Sequence, residues 1–215
     1  MRFDPRLYLV TDPQLCAKQG IVESVRQAVA GGVTLVQLRD KESPLAVVAE
    51  AARALVSVLK PLGIPLILND YVELVAEVGA QGVHIGKKDS VPSQARKRLP
   101  AGSIVGVSIE HGDTIDLAAL SSVDYLAASP VFKTATKLDC STPFGLEGLR
   151  ALRSQTDLPL VAIGGVQLEN APSLFEAGAN GVAVVSAILG QSNITEAARA
   201  FRECIERKVG NGFHE

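Results

Sequence analysis

Cysteine and histidine are scarce in these 215 residues and badly spaced for joint chemistry. Cys16, Cys140 and Cys204 form no CxxC pair, and only His84, His111 and His214 could join them. An odd set without ligand spacing argues against a disulfide framework and against zinc; reduced thiols in the cytoplasm are the expectation. An excess of either charge is also missing. Lys plus Arg number 21 and Asp plus Glu 23, for a formal charge of −2, which leaves no dense basic face for nucleic acid. No apolar run reaches the roughly 20 residues of a membrane helix, and no charged-then-apolar leader opens the sequence, so neither a membrane association nor a secretory signal is expected. A GxGxxG loop after the first apolar run, a linker and a low-complexity tract are absent as well.

What is present is a series of eight short apolar segments, at 7–12, 33–39, 65–70, 82–86, 104–108, 125–130, 160–165 and 181–186. Their bodies are continuously hydrophobic rather than alternating, the pattern of parallel strands buried on both faces. Helical periodicity fills the intervals at 21–30, 45–62, 72–78, 92–99, 114–120, 146–153, 171–177 and 194–208. Strand and helix in strict alternation predict parallel strands with right-handed crossovers. Eight repeats without a leftover favour an α/β fold consisting of a single (β/α)8 TIM barrel over 1–209, with 210–215 as a frayed tail. A doubly wound open sheet is the alternative, but it would place a glycine-rich nucleotide loop where Thr11-Asp12-Pro13 stands. Hydrophobic residues make up 47% of the chain, enough for one large core.

The polar residues gather at the carboxyl ends of these segments, which in a barrel share one rim. Asp70 ends the third segment and Asp89 lies just past the fourth; neighbouring barrel strands are about 4.8 Å apart, so the two could together approach one Mg2+ ion, and each could equally cap the helix that follows. Gln37 and Arg39 share a strand face and Lys41 extends it, a basic set suited to a diphosphate. Thr134, Thr136 and Lys137 lie in the long connection after the sixth strand, where a loop can close on an anion. Gly164 and Gly165 after strand seven, with Val185 and Ser186 after strand eight, stand where barrels commonly bind phosphate. Ser108 has no evident base and reads as a ligand hydrogen bond; His84 reads as a packed, hydrogen-bonded barrel residue.

Taken together and in order, several strings resemble the thiamine phosphate synthase (thiamine-phosphate pyrophosphorylase) family. They are Val36-Gln37-Leu38-Arg39-Asp40-Lys41, Leu68-Asn69-Asp70, Gly82-Val83-His84-Ile85-Gly86 with Asp89, and Gly106-Val107-Ser108. Pro130-Val131-Phe132 leading to Thr134-Ala135-Thr136-Lys137, Gly145-Leu146-Glu147-Gly148-Leu149, Ala162-Ile163-Gly164-Gly165 and Gly181-Val182-Ala183-Val184-Val185-Ser186 complete the set. The resemblance implies condensation of a hydroxymethylpyrimidine diphosphate with a thiazole phosphate, releasing pyrophosphate. It implies Gln37, Arg39, Lys41, Asn69, Ser108 and Lys137 as ligands of the pyrimidine diphosphate, with Lys137, Arg39, Lys41 and Ser108 serving catalysis. It implies Asp70 and Asp89 as Mg2+ ligands, and Thr134, Thr136, Gly165, Val185 and Ser186 as the thiazole phosphate site. The expected partners are these small molecules, and a homodimer is left open.

The chain departs from the family pattern at Tyr71, where an Arg is usual, at Lys87-Lys88 before the second Asp, at Ser129 in place of Gly, and over 138–144. One of the two lysines could stand in for the missing Arg. A thiazole tautomerase on the same barrel is the nearest rival; such relatives resemble this chain but carry His where it has Pro130, and lack an intact TxTK. A phosphate-ligand sensor without catalysis is a rival of another class.

Overall fold

The continuous apolar segments form eight short parallel strands: β1 Leu7–Val10, β2 Leu35–Leu38, β3 Leu66–Asn69, β4 Gly82–Ile85, β5 Ile104–Ile109, β6 Tyr125–Ala128, β7 Leu160–Ile163 and β8 Gly181–Val184. Each pairs with its sequence neighbours, and β8 returns to β1 to close the barrel. Tyr8 stands opposite Leu35 on one side and Ala183 on the other. The computed structural model describes residues 3–86, 91–113, 121–134 and 142–210. The (β/α)8 architecture is the one expected; the helix anticipated at 114–120 lies outside the described residues.

Around the barrel run α1 Pro13–Cys16, α2 Ile21–Ala30, α3 Leu45–Leu59, α4 Leu74–Val78, α5 Pro92–Arg98, α6 Gly145–Arg153, α7 Ala171–Glu176, α8 Ser186–Leu189 and α9 Ile194–Gly210. The single helix expected over 45–62 divides: α3 stops at Leu59 and a 3-10 turn, Lys60–Leu62, runs into Gly63 at φ 67°. The helix expected to start at Val72 begins at Leu74, two residues later. Two one-turn helices, α1 and α8, were not foreseen, because four residues are too few to show a period. α1 forms because Asp12 accepts hydrogen bonds from the backbone N–H of Gln14 and Leu15, at 2.9 and 3.0 Å, the ordinary N-cap contact. α9 packs on α2 and completes the outer ring. Gly31 allows this approach: a Cβ there would lie 2.4 Å from the carbonyl oxygen of Thr195. Among the described residues no helix is long and apolar enough to cross a membrane.

Period-two alternation sorts each strand between two cores. Outward residues such as Leu7, Leu9, Val36, Leu66 and Val83 join the helices in one large cluster. Inward residues, among them Tyr8, Val10, Leu35, Ile67, Tyr125, Val161 and Ala183, fill the lumen as a second cluster. Both faces of each strand are buried, which is why the strands read as unbroken hydrophobic runs. The lumen is crowded enough to dictate glycine. The ring of Tyr125 crosses the space that a side chain at position 106 would need, with ring atoms 2.0 and 2.3 Å from an added Cβ. Phe3 closes the lower end against the same ring, centroid to centroid 5.5 Å.

Gly106→Ala therefore forces a clash that no flexible tip can relieve. It is expected to destabilise the fold by about 1–3 kcal/mol, read as a lowered urea midpoint with an unchanged slope.

Candidate active site

The strand ends open into a cavity of about 320 Å3 at the carboxyl-terminal rim. Val10, Thr11 and Asp12 border it from β1, Arg39 from β2, and Ser129, Pro130, Lys133 and Thr134 from the end of β6. Gly164, Gly165, Val166 and Gln167 follow β7, and Ala183, Val184, Val185 and Ser186 close the ring from β8. Five of the residues expected in the site thus meet around one space: Arg39, Thr134, Gly165, Val185 and Ser186. Ser186 opens α8, so backbone N–H groups without partners in their own helix lie at the cavity wall, where they suit an anion.

Chain geometry explains why this wall has its form. After β6 the chain continues alongside β7: Val131 N donates to Ile163 O at 2.8 Å and Phe132 N to Gly164 O at 3.0 Å. Phe144 N and Gly145 N then return to the carbonyls of Pro130 and Val131, each at 2.9 Å, which ties the two feet of the long connection together. Such close approach leaves no room for a side chain at 165. A Cβ there would lie 2.6 Å from Lys133 O, and the backbone stands at φ +67°. Asn170 Nδ2 holds the Gly165 carbonyl at 2.9 Å. Thr11 performs a similar service for Arg39: its buried hydroxyl accepts from Arg39 N at 3.0 Å.

At the β2–β3 side of the rim, Lys41 Nζ meets Asp70 Oδ2 at 2.9 Å. Asn69 Nδ2 donates to the same oxygen at 2.5 Å, and Gly86 N approaches Oδ1 at 3.4 Å. Asp70 adopts φ 68°, the left-handed region, which Asp tolerates better than most residues. The capping role that Asp70 could have had is not observed: α4 starts after Glu73 with no side-chain cap, and the carboxylate faces Lys41 and Asn69 instead. Lys41 is half exposed and Asp70 largely buried, so water screens the ammonium end of the pair more than the carboxylate end.

Asp40 anchors the same loop. Burial opposes its ionisation, but hydrogen bonds from Ser43 and Glu42 outweigh that and hold the carboxyl below the usual carboxylate range. Tyr71, at the position where an Arg is usual in the resembled family, donates its hydroxyl hydrogen to the Asp40 carbonyl at 3.0 Å. Burial and the nearby carboxylates of Asp40 and Asp70 push its phenol up, so it remains a donor. The departure at Tyr71 thus braces the Arg39–Lys41 loop instead of adding a cation.

Below the rim, polar side chains cross the lumen in a line. Gln37 Nε2 donates to Tyr8 Oη at 2.8 Å, and Tyr8 Oη lies 2.8 Å from Tyr125 Oη. Tyr125 Oη lies 3.0 Å from His84 Nδ1, and His84 Nε2 lies 2.9 Å from Ser108 Oγ. Gln37, Asn69 and Ser108 of the expected pyrimidine set therefore reach the barrel interior from β2, β3 and β5, and His84 is the hydrogen-bonded barrel residue it was read as. Nothing in the sequence pattern sets Tyr8 and Tyr125 apart from ordinary core residues, although both hold inward positions. The expected Asp89, Thr136 and Lys137, and Lys87 and Lys88 with them, lie outside the described residues.

Comparison with known proteins adds to this geometry. A family model described as thiamine monophosphate synthase matches residues 7–188. A thiamine-phosphate synthase of Azorhizobium caulinodans is 48% identical over 204 residues, covering 95% of this chain and 96% of that protein. One from Syntrophomonas wolfei is 43% identical, covering 95% and 98%. Among solved structures, a thiamine phosphate pyrophosphorylase from Pyrococcus furiosus superposes with a TM-score of 0.86 at 32% identity, covering 97% of this chain and 99% of that one.

Two glycines separate backbone strain from crowding at the cavity wall. Gly63 and Gly165 share φ +67°, but a Cβ at 63 meets nothing within 4 Å. Gly63→Ala is expected to cost about 1 kcal/mol, and Gly165→Ala at least about 1 kcal/mol more. Equal urea midpoints for the two variants would contradict the packing assigned to the wall.

Proposed function

Because this chain belongs to the thiamine monophosphate synthase family, we propose that it joins a hydroxymethylpyrimidine diphosphate to a thiazole phosphate, giving thiamine phosphate and pyrophosphate. The observation that carries this reading is the convergence of Arg39, Thr134, Gly165, Val185 and Ser186 on one cavity, beside the Lys41–Asp70 pair and above Gln37, Asn69 and Ser108. Two anionic substrates need two separate anion sites, and the rim offers one on the β2–β3 side and one on the β7–β8 side.

The donors at Asp70 fit Mg2+. Asp70 and Asn69 carry hard oxygens, and no cluster of three His, Cys, Asp or Glu side chains occurs among the described residues. An ion here would take most of its ligands from water and phosphate, as magnesium commonly does. Asp70, together with Asp89, would hold it. When bound, Mg2+ would neutralise charge on the departing diphosphate.

The side chains divide the remaining work. Arg39, Lys41 and Lys137 hold the diphosphate and compensate the charge it gains as it leaves. Gln37, Asn69 and Ser108 orient the pyrimidine. Thr134, Thr136, Gly165, Val185 and Ser186 hold the thiazole phosphate, so that the thiazole nitrogen faces the pyrimidine methylene carbon. The C–O bond breaks and its electron pair leaves with pyrophosphate. The aminopyrimidine delocalises the cation, and the lone pair of the thiazole nitrogen forms the new C–N bond. That nitrogen carries no proton, so the step needs no general base. Pro130 lines the cavity where tautomerase-like relatives carry His, so that position cannot shuttle a proton. The free thiols of Cys16 and Cys204 suit a reducing cytoplasm.

Purified protein with Mg2+ and both substrates is expected to form thiamine phosphate and pyrophosphate in equal amounts. Tight binding of thiamine phosphate without turnover would favour the sensor instead. Asp70→Asn keeps a residue that tolerates φ 68° and removes the charge; kcat is expected to fall at least about 100-fold with the thermal midpoint nearly unchanged. In Lys137→Ala, kcat is expected to fall further than the KM for thiazole phosphate rises, as steady-state kinetics with each substrate varied would read.

A further inference from the structure

The polar line through the lumen has a direction, and that direction has consequences at both of its ends. Burial pushes the phenols of Tyr8 and Tyr125 up, so each keeps one hydrogen to give. Tyr8 Oη already receives a hydrogen from Gln37 Nε2, so its own goes to Tyr125. Tyr125 then gives its hydrogen to His84 Nδ1. A neutral imidazole that accepts at Nδ1 carries its proton on Nε2, and this proton goes to Ser108 Oγ. The hydrogen of Ser108 is left to point beyond the line. At the other end, Gln37 Oε1 takes no hydrogen from any described residue. If the Gln37 amide were turned over, every bond in the line would reverse, because each hydroxyl has a single hydrogen.

We propose that Tyr8, Tyr125 and His84 are positioning residues. They form a one-way hydrogen-bond relay that locks Gln37 as an acceptor and Ser108 as a donor toward the pyrimidine substrate, with His84 held as its Nε2–H tautomer. An aminopyrimidine offers the complementary groups, amine hydrogens for Gln37 and an unprotonated ring nitrogen for Ser108. A ring with a carbonyl in place of the amine would set acceptor against acceptor at Gln37 and lose affinity. The ligand in this inference rests on the proposed reaction; the tautomer does not.

The test begins with the ligand-free protein, so that failure of the relay and failure of the proposed reaction can be told apart. Nitrogen-15 NMR of the labelled protein is expected to show His84 with protonated Nε2 and bare Nδ1. Gln37→Glu replaces the amide by a group that accepts from Tyr8, and is expected to invert the tautomer to Nδ1–H. A wild-type Nδ1–H form, or an unchanged tautomer in folded Gln37→Glu, overturns the relay. Tyr125→Phe removes one oxygen atom. It is expected to lower kcat/KM for the pyrimidine diphosphate about tenfold, leave the KM for thiazole phosphate unchanged, and mix the His84 tautomers. Equal losses for both substrates would mark Tyr125 as merely structural and overturn its positioning role. Should wild-type protein prove inactive with both substrates, the proposed reaction fails while the NMR result still decides the relay.

Discussion

Closing eight short strands into a ring leaves a lumen lined by buried side chains, so a polar atom deep within it needs a partner on another strand. An unpartnered polar group in such a place costs on the order of 1–3 kcal/mol, and an unpaired charge far more. The structure meets this demand by alignment. Tyr8 from β1 and Tyr125 from β6 meet near the axis, with Gln37 and His84 attached to either side. Gly106 is the complement of that arrangement, since the Tyr125 ring occupies its side-chain space. Strand order, register and glycine placement are all constrained by one row of hydroxyls.

Charge is kept out of this row and sits at the rim, where water and ligand can compensate it. Arg39 borders the cavity and Lys41 pairs with Asp70 while still half exposed. The ammonium end of the pair is half exposed and screened by water, while the carboxylate end is largely buried, and in the proposed reaction a phosphate oxygen competes for that ammonium. The bonds that join the segment after β6 to β7, and the absence of a side chain at Gly165, fix the far wall in a single form. Of the two proposed anion sites, one has a water-exposed cation and the other a backbone fixed in place.

The strands were legible because double-sided burial leaves continuous apolar runs, and parallel topology followed from their alternation with helices. The rim positions of Arg39, Gly165, Val185 and Ser186 were legible for the same reason: a residue at the end of a strand buried on both faces has few places to be. Asp70 was open between metal ligand and helix cap, and only the start of α4 at Leu74 and the Lys41 contact separate it from capping. The one-turn helices α1 and α8 were too short to show periodicity. Tyr8 and Tyr125 escaped notice because each sits in an otherwise apolar string and reads as core. Their partnership depends on contact between residues 117 positions apart, which no local pattern records. Gly106 likewise stands in the sequence only as one residue of a strand-end string, and its reason lies in a ring from the next strand.

A neutral floor beneath a charged rim suits the chemistry proposed for this barrel. The reaction develops positive charge on the pyrimidine and negative charge on the leaving diphosphate, and the two need different surroundings. In the proposed reaction, cationic side chains at the rim stabilise the departing anion. The same charges placed in the lumen would repel the ring cation and would be costly to desolvate there. Phenols, an amide and an imidazole can satisfy one another in a dry space and still present a polar face upward. Rim residues then carry the charge separation, while the lumen supplies orientation, and the physical cost of burying polar groups is what divides the two tasks.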